Sequence, residues 1–325
     1  MTMNSTAASD SVRNHQVIAK RFCTEYPPGI SRFFIGSSPS LAASIISHDY
    51  PAAGVMISIN SLCDRKSNFD VGDWILDSGA FTEVARHGGY RHGVEQYFRQ
   101  IKRWSVCGNL LIAVAQDWMC EPSVLKRTGL TVVEHQQLTI ERYDQLMRLN
   151  PPVAVMPVLQ GYWVSDYLKH LADYGARLSP GAWVGVGSVC RRNGNPEEIA
   201  DILKAIKLLR SDLRLHGFGL KILALESAEV RALLYSTDSM AWSYPRKFQP
   251  VPEPEIPMAH NYQQKIAAVT NFVQKRVPKT AGAGNGQGRK PKWKSPTESV
   301  RLPKKYIPHL TQLAKEWESK EELLE

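Results

Sequence analysis

The sequence lacks the features that mark several protein classes. Its five cysteines are odd in number and widely spaced, with no Cys-x-x-Cys pair: Cys23, Cys63, Cys107, Cys120 and Cys190. This pattern indicates neither a disulfide framework nor a cysteine-rich zinc site. No apolar run approaches the roughly 18 residues that a membrane span requires, and residues 1–16 have no apolar signal-peptide core. We therefore expect a cytoplasmic protein without a membrane partner.

Several catalytic motifs are also missing. The chain contains no Ser/His/Asp order, nucleophile elbow, His-Glu-x-x-His or P-loop lysine motif. Its composition is that of an ordinary globular protein, with 43% hydrophobic and 22% charged residues, so a sizeable core is expected. A length of 325 residues fits two average domains, or one large barrel with a tail.

The positive charge is concentrated near the C-terminus. The net charge is +9, and it is accounted for by residues 271–310, where Glu298 is the one acid. The basic residues there are Lys275, Arg276, Lys279, Arg289, Lys290, Lys292, Lys294, Arg301, Lys304 and Lys305. A Gly-rich run over 280–289 predicts flexibility. The segment is either a phosphate-binding arm or a solubilising linker, and the sequence leaves both interpretations open.

Eight short apolar runs alternate with amphipathic ones and predict a parallel sheet covered by helices. The expected strands are 33–37, 55–59, 74–77, 110–116, 153–159, 183–189, 214–219 and 236–241. The clearest helices are expected over 92–106, 132–148, 164–176, 196–209 and 224–235. This order predicts an α/β fold of the (β/α)8 TIM-barrel type, with a doubly wound open sheet as the alternative. We expect an extension over 1–29, the barrel over 30–272, a basic flexible linker over 273–305 and a terminal helix over 306–325.

Polar residues or glycines stand at or near the C-terminal ends of most of these strands. They are Asn60, Asp77, Asp117, Gln160, Gly187 and Asp238. Because active sites of such barrels gather at the C-terminal ends of the strands, three carboxylates and an amide are expected to converge in one mouth. The alternative for each acid is a helix cap, an Asx-turn or a core salt bridge.

The residue types around these positions fit a planar, hydrogen-bonding ligand. A carboxylate accepts from ring N–H groups, and Gln160 offers both a donor and an acceptor to a nucleobase edge. Trp118, beside Asp117, either packs on the face of such a ligand or serves the core. His216 is interpreted as a hydrogen-bonded core histidine rather than a base.

Six blocks together resemble the tRNA-guanine transglycosylase superfamily, and most closely its DNA-acting branch, the 7-deazaguanine DNA transglycosylases called DpdA. They span roughly residues 30–245 in the family's order. The blocks are Asp77-Ser-Gly-Ala-Phe81, Gln116-Asp-Trp-Met-Cys-Glu-Pro122, Pro157-Val-Leu-Gln-Gly161, Val184-Gly-Val-Gly-Ser-Val-Cys190, Leu215-His-Gly-Phe-Gly-Leu-Lys221 and Asp238-Ser-Met-Ala-Trp-Ser243.

The resemblance implies a pentosyltransferase that exchanges guanine in DNA for a 7-deazaguanine base, such as 7-cyano-7-deazaguanine, through a covalent Asp-deoxyribosyl intermediate. It implies that Asp238 is the nucleophile and Asp77 the general acid/base. The base-binding residues that it implies, together with their neighbours, are Asp117, Gln160, Ser78, Phe81, Trp118, Gly185, Gly187 and Ser188. The basic residues expected to contact the nucleic-acid backbone are Lys275, Arg276, Arg289, Lys290, Lys292 and Lys294.

One departure from the family pattern concerns zinc. The tRNA enzymes carry a Cys-x-Cys-x-x-Cys plus His site late in the chain, whereas no cysteine follows Cys190 here. We therefore expect no zinc and no cofactor, with the 7-deazapurine as substrate and DNA as partner, in a bacterial or phage-infected cell. Other proteins of a DNA-modification system are a further expected class of partner. The alternatives are the same exchange on tRNA, a barrel glycosidase, and a nucleic-acid-binding module without catalysis.

Overall fold

The computed structural model describes residues 30–45, 53–248 and 254–274, with the backbone alone for residues 53, 246–248 and 271–274. The expected extension over 1–29, nearly all of the basic linker over 273–305 and the terminal helix over 306–325 lie outside the described residues. These domain assignments therefore stay predictions.

Nine parallel strands form one sheet in the order β5-β4-β3-β2-β1-β9-β8-β7-β6. They are β1 (Arg32–Gly36), β2 (Ala53–Ser58), β3 (Asp73–Asp77), β4 (Asn109–Val114), β5 (Ala154–Met156), β6 (Val158–Leu159), β7 (Trp183–Val186), β8 (Arg214–Gly217) and β9 (Ser236–Ser239). Each coincides with one of the eight sequence-predicted strands, except that one of these is divided between β5 and β6.

That divided strand brings the two edges of the sheet together. β5 and β6 are the outermost strands of the sheet, yet only Pro157 separates them along the chain. Proline has no N–H to contribute to a ladder, whereas its carbonyl oxygen accepts from Gly185 N at 2.9 Å, and Met156 O accepts from Ala115 N at 3.0 Å. The sheet therefore curves into an eight-stranded TIM-like barrel, and the predicted fold class is confirmed.

Helices cover the outside of the barrel. They are α1 (Ala42–Ile45), α2 (Ala80–His87), α3 (Val94–Trp104), α4 (Pro122–Thr128), α5 (Val132–Arg148), α6 (Val164–Tyr174), α7 (Pro196–Leu209), α8 (Ile222–Leu225), α9 (Ala228–Leu233) and α10 (Glu255–Gln274). The helix predicted over 224–235 is in fact divided between α8 and α9, because Ser227 caps a new helix by accepting from Val230 N.

Strand periodicity separates two apolar layers. Phe33 and Ile35 belong to the outer core between sheet and helices, whereas Phe34 belongs to a smaller cluster inside the barrel. Side chains two residues apart on a strand share a face, so each inward residue predicts the next inward position towards the mouth. Inside the barrel, Ile75 is therefore followed by Asp77, and Val158 is followed by Gln160.

Candidate active site

A polar layer covers the apolar filling of the barrel at the C-terminal ends of the strands. Four inward-facing residues of the barrel are each followed, two positions later, by a polar side chain. Met56 is followed by Ser58, Ile75 by Asp77, Val158 by Gln160 and Ser236 by Asp238. The register supports this placement, because Asp77 is paired with Ser58 and Asp238 is paired with inward-facing Phe34. Asp77, Gln160 and Asp238, three of the strand-end residues predicted from the sequence, thus point into one mouth, and Ser58, which was not predicted, joins them.

Asp77 is a carboxyl whose ionisation is opposed by its surroundings. Burial, followed by the nearby charge of Asp238, raises its pKa to about 6, although hydrogen bonds from Ser58 and from the backbone N–H of Gly79 favour the ionised form. The Gly79 N–H lies 3.2 Å from Asp77 Oδ2. Gly79 has a φ of 77°, and a Cβ there would strike the Asn60 amide, so the turn requires glycine.

Asp238 is held by two donors on one of its oxygens. Its Oδ1 accepts from Gly219 N at 2.9 Å and from His216 Nε2 at 3.2 Å. The side chain is 14% exposed, so it is reachable from the mouth. Because both bonds engage Oδ1, the carboxylate is fixed in rotation and Oδ2 is the oxygen that lies outside these two contacts.

A short chain of hydrogen bonds sets the tautomer of His216. Trp183 Nε1, which can only donate, bonds Ser236 Oγ at 2.7 Å. Ser236 Oγ lies 2.9 Å from His216 Nδ1, so its own proton is available for that nitrogen. With Ser236 donating to Nδ1, it is Nε2 that carries a proton and donates to Asp238. The sequence interpretation of His216 as a buried, hydrogen-bonded histidine was right, but its partner was not foreseen.

The third acidic group of the layer is Asp117. Gln160 Nε2 donates to its Oδ2 at 2.5 Å, and Ser78 Oγ donates to its Oδ1 at 3.3 Å. Burial raises the pKa of Asp117 to about 7; the bond from Gln160 opposes this shift, and the charge of Asp77 adds to it. Asp117 therefore exchanges between its acid and carboxylate forms near neutral pH.

The amide of Gln160 is oriented from several sides. Ser188 Oγ donates to its Oε1 at 2.7 Å, which directs Nε2 towards Asp117. The main-chain oxygen of Gln160 accepts from Gln136 Nε2 at 2.7 Å, and its N–H donates to His170 Nδ1 at 2.9 Å. A Cβ at Gly187 would collide with the amide, so glycine at 187 makes room for it.

Ser188 occupies a backbone conformation that side chains rarely adopt. Its φ is 56°, in the left-handed region, where a non-glycine residue costs of order 1 kcal/mol or more. Its hydroxyl accepts from Cys120 N at 2.9 Å and lies 3.0 Å from Glu121 Oε2. These contacts hold the hydroxyl against Gln160, which gives the unusual conformation a role in the site.

Three other predicted residues lie at the edge of the polar layer or away from it. Phe81 is 50% exposed at the mouth, with the Arg191 guanidinium 6.0 Å from its ring centre. Trp118 packs in a satellite apolar cluster, where its ring meets His135 edge-on at 5.3 Å. A Cβ at Gly185 would strike the Phe218 ring, so Gly185 accommodates that ring.

Sequence reasoning missed Tyr90 and Arg142. Tyr90 OH donates to the main-chain oxygen of Asp117 at 3.0 Å and lies 3.3 Å from Ser78 Oγ. Arg142 stacks over the Tyr90 ring at 4.6 Å and donates to Gln116 Oε1 at 2.7 Å. Both residues lie on segments without a strand-end signal, so nothing in their sequence context marked them.

Two features are absent from the ranges that the structure describes, a metal-binding cluster and a membrane-spanning helix. There, no three His, Cys, Asp or Glu side chains come together in a way that could hold a metal ion; the expected absence of zinc stays a prediction for the whole chain. Among the described helices, none combines the length and apolarity needed to cross a bilayer.

Comparison with known proteins identifies the family of the chain. A family model described as DpdA, DeoxyPurine in DNA protein A, matches residues 54–273, more than half of the chain. A search of curated proteins finds no match. The family implies a DNA transglycosylase that inserts 7-deazaguanine, with DNA as its substrate, and the resemblance inferred from the six sequence blocks is confirmed. The chain belongs to the DpdA family.

Proposed function

We propose that this chain replaces guanine in DNA with a 7-deazaguanine base such as 7-cyano-7-deazaguanine, through a covalent bond between Asp238 and the deoxyribose. The observation that carries the proposal is the polar layer itself. It presents Asp238 with Oδ1 anchored by His216 and Gly219, Asp77 with a pKa of about 6, and the bonded pair of Asp117 and Gln160.

The pair of Asp117 and Gln160 suits the edge of guanine. That edge offers N–H donors at N1 and N2 and an acceptor at O6. An ionised Asp117 accepts from the two donors, and Gln160 Nε2 donates to O6 because Ser188 holds Oε1 on the other side. A base bound in this way replaces the 2.5 Å bond between the two side chains with its own bonds to each.

In the first half-reaction, a carboxylate oxygen of Asp238 bonds to C1′ of the target nucleotide. The bond between C1′ and N9 breaks, its electron pair stays on guanine, and Asp77 supplies a proton to the leaving base. A carboxylate suits this step because it stabilises and then captures a cation-like carbon. The displaced guanine leaves with the proton that Asp77 held.

The second half-reaction reverses the roles. Ionised Asp77 takes the proton from the ring nitrogen of the incoming 7-deazaguanine, that nitrogen bonds to C1′, and the C1′–O bond to Asp238 breaks. Both acids return to their starting forms. A pKa of about 6 suits a group that must donate in one half and accept in the other near neutral pH.

A base-exchange assay tests the proposal. The full chain is incubated with 7-cyano-7-deazaguanine and either a DNA oligonucleotide or a tRNA transcript, and digested nucleosides are analysed by mass spectrometry. We expect the modified deoxynucleoside from DNA, its loss in Asp238→Asn and Asp77→Asn, and normal yield from Asp173→Asn, whose carboxylate pairs with Lys169 on the exposed face of α6. Modification of tRNA alone would refute DNA as the substrate.

A further inference from the structure

The loops on one half of the barrel mouth have a net positive charge. They are the four segments that follow β6, β7, β8 and β9, residues 160–163, 187–195, 218–221 and 240–248, which we call the cationic arc. These segments contain no acidic residue, and three basic side chains are described in them: Arg191, Lys221 and Arg192, the last of which pairs with Glu198 at 2.7 Å. The loops after β2 and β4, in the other half, hold four acids, Asp64, Asp70, Asp117 and Glu121, and two bases, Arg65 and Lys66.

Aromatic side chains accompany the cations of the arc. Tyr244 is 55% exposed, and Lys221 Nζ lies 5.7 Å from its ring centre. Trp163 is 61% exposed and meets Tyr162 edge-on at 5.1 Å, while the Arg192 guanidinium lies 4.6 Å from the Tyr162 ring. Exposed aromatic faces beside cations are typical of surfaces that bind single-stranded nucleic acid. The rings stack on bases, and the cations attract the phosphate backbone.

The arc also contacts the proposed nucleophile. Asp238 lies on β9, and its partner Gly219 belongs to the arc segment after β8. A nucleotide whose C1′ reaches Asp238 therefore lies beside the arc. Its base must leave the double-helical stack to reach the polar layer.

We propose that the cationic arc binds an unpaired stretch of DNA on both sides of the target nucleotide. Lys221 and Arg191 contact phosphates, and Tyr244 and Trp163 stack against flanking bases. The occupant is single-stranded because a base inside a duplex has no free face to offer these rings. This inference rests on the proposed function for its choice of DNA.

Binding of fluorescein-labelled oligonucleotides, followed by anisotropy in the full chain, tests the proposal. The probes are a single strand of about 15 nucleotides and the matching duplex. We expect Tyr244→Ala and Trp163→Ala each to weaken single-strand binding about tenfold, with a smaller effect on the duplex. Replacing both Lys221 and Arg191 with Gln should lower the single-strand salt slope by roughly 0.7 for each lost contact.

Matched controls lie at the other end of the barrel. Arg103 stacks over Trp104 at 4.3 Å, and Leu208 is 40% exposed near the end of α7, yet both precede strands instead of following them. Arg103→Gln and Leu208→Ala should bind the single strand like the parent chain. Equal binding by the arc variants and these controls would overturn the proposal, as would an equal loss on single strand and duplex.

The base-exchange assay separates this inference from the proposed function. Normal base exchange and normal single-strand binding in the arc variants would refute the role of the arc in DNA binding, and the proposed exchange reaction would stand. The opposite outcome is a chain that exchanges no base but binds single-stranded DNA through the arc. This result would support the role of the arc in DNA binding and refute the proposed base exchange. If the arc substitutions weakened binding of a tRNA stem-loop but not of single-stranded DNA, the choice of DNA would be overturned.

Discussion

His216 Nε2 lies 3.2 Å from Asp238 Oδ1, and the imidazole is completely buried. On its other side, His216 Nδ1 is 2.9 Å from Ser236 Oγ, which in turn accepts from Trp183 Nε1. The side chain therefore joins the floor of the barrel to the proposed nucleophile. We interpret it as a positioning residue, because it acts on the reaction through Asp238.

Replacement of His216 should slow formation of the covalent adduct without changing base affinity. His216→Met removes the Nε2 donor, so Asp238 loses one of its two anchors, and we expect a decrease in the single-turnover rate of about 10- to 100-fold. His216→Gln retains an N–H donor and should recover part of the rate. If both variants lost rate equally while the concentration of base needed for half-saturation rose, His216 would have a general structural role.

The two half-reactions should respond oppositely to pH. Guanine departure needs protonated Asp77, so adduct formation should decline about tenfold per pH unit above the pKa of about 6. Resolution of the adduct by the incoming base needs ionised Asp77, so its rate should rise up to that pKa and then level off. Rapid-quench measurements at saturating DNA and base separate the two steps. Identical pH dependence in the two steps would contradict the assignment.

Asp117→Asn should abolish base exchange and stabilise the fold at neutral pH. A folded-state pKa of about 7, raised from 3.8, means that the folded chain binds the proton more tightly than the unfolded chain. The resulting penalty is absent below pH 4, grows as pH rises, and is complete above 7. The variant removes this penalty, so its free energy of unfolding should increase by about 1–3 kcal/mol at pH 8.

Denaturant unfolding at two pH values checks this prediction. The stabilisation should largely vanish near pH 4, where the carboxyl is protonated in both states of the parent chain. A variant that is equally destabilised at both pH values would show that Asp117 is ionised without cost in the folded chain. Asp173→Asn, on the exposed face of α6, serves as a surface control because its Lys169 partner is also exposed.

Gly187→Ala should damage base binding by displacing Gln160. The added Cβ would collide with the amide, which Ser188 and Asp117 hold in place. We expect a loss of stability of about 1–3 kcal/mol and at least a tenfold rise in the concentration of base at half-saturation. Gly194→Ala is the matched control, since its Cβ would meet no atom within 4 Å. Equal kinetics in the two variants would contradict this account of Gly187.

The barrel was predictable from sequence because strand periodicity is a local property. The runs around Ile75 and Val158 are apolar on both faces, and Asp77 and Gln160 follow them in phase. Helix α7 was predicted with its observed bounds, since Pro196 and the two following acids mark its start. The sequence did not predict α10, because no capping signal or motif distinguished the residues beyond 250.

Sequence patterns did not predict contacts between segments that are far apart along the chain. Nothing near His216 indicates that it would face Asp238, since β8 and β9 meet only in the folded sheet. The role of Trp118 stayed open between ligand and core, and the structure places its ring in an apolar cluster with Val84 and Val124. Ser188 was expected near the base, but its left-handed backbone is visible only in three dimensions.

Mapping of the covalent intermediate tests the central claim most directly. Enzyme is mixed with guanine-containing DNA in the absence of incoming base, denatured, digested with protease and nuclease, and analysed by mass spectrometry. The account predicts a deoxyribosyl adduct on Asp238, absent from Asp238→Asn and reduced in Asp77→Asn. An adduct on Asp77, or a normal adduct yield from Asp238→Asn, would contradict it.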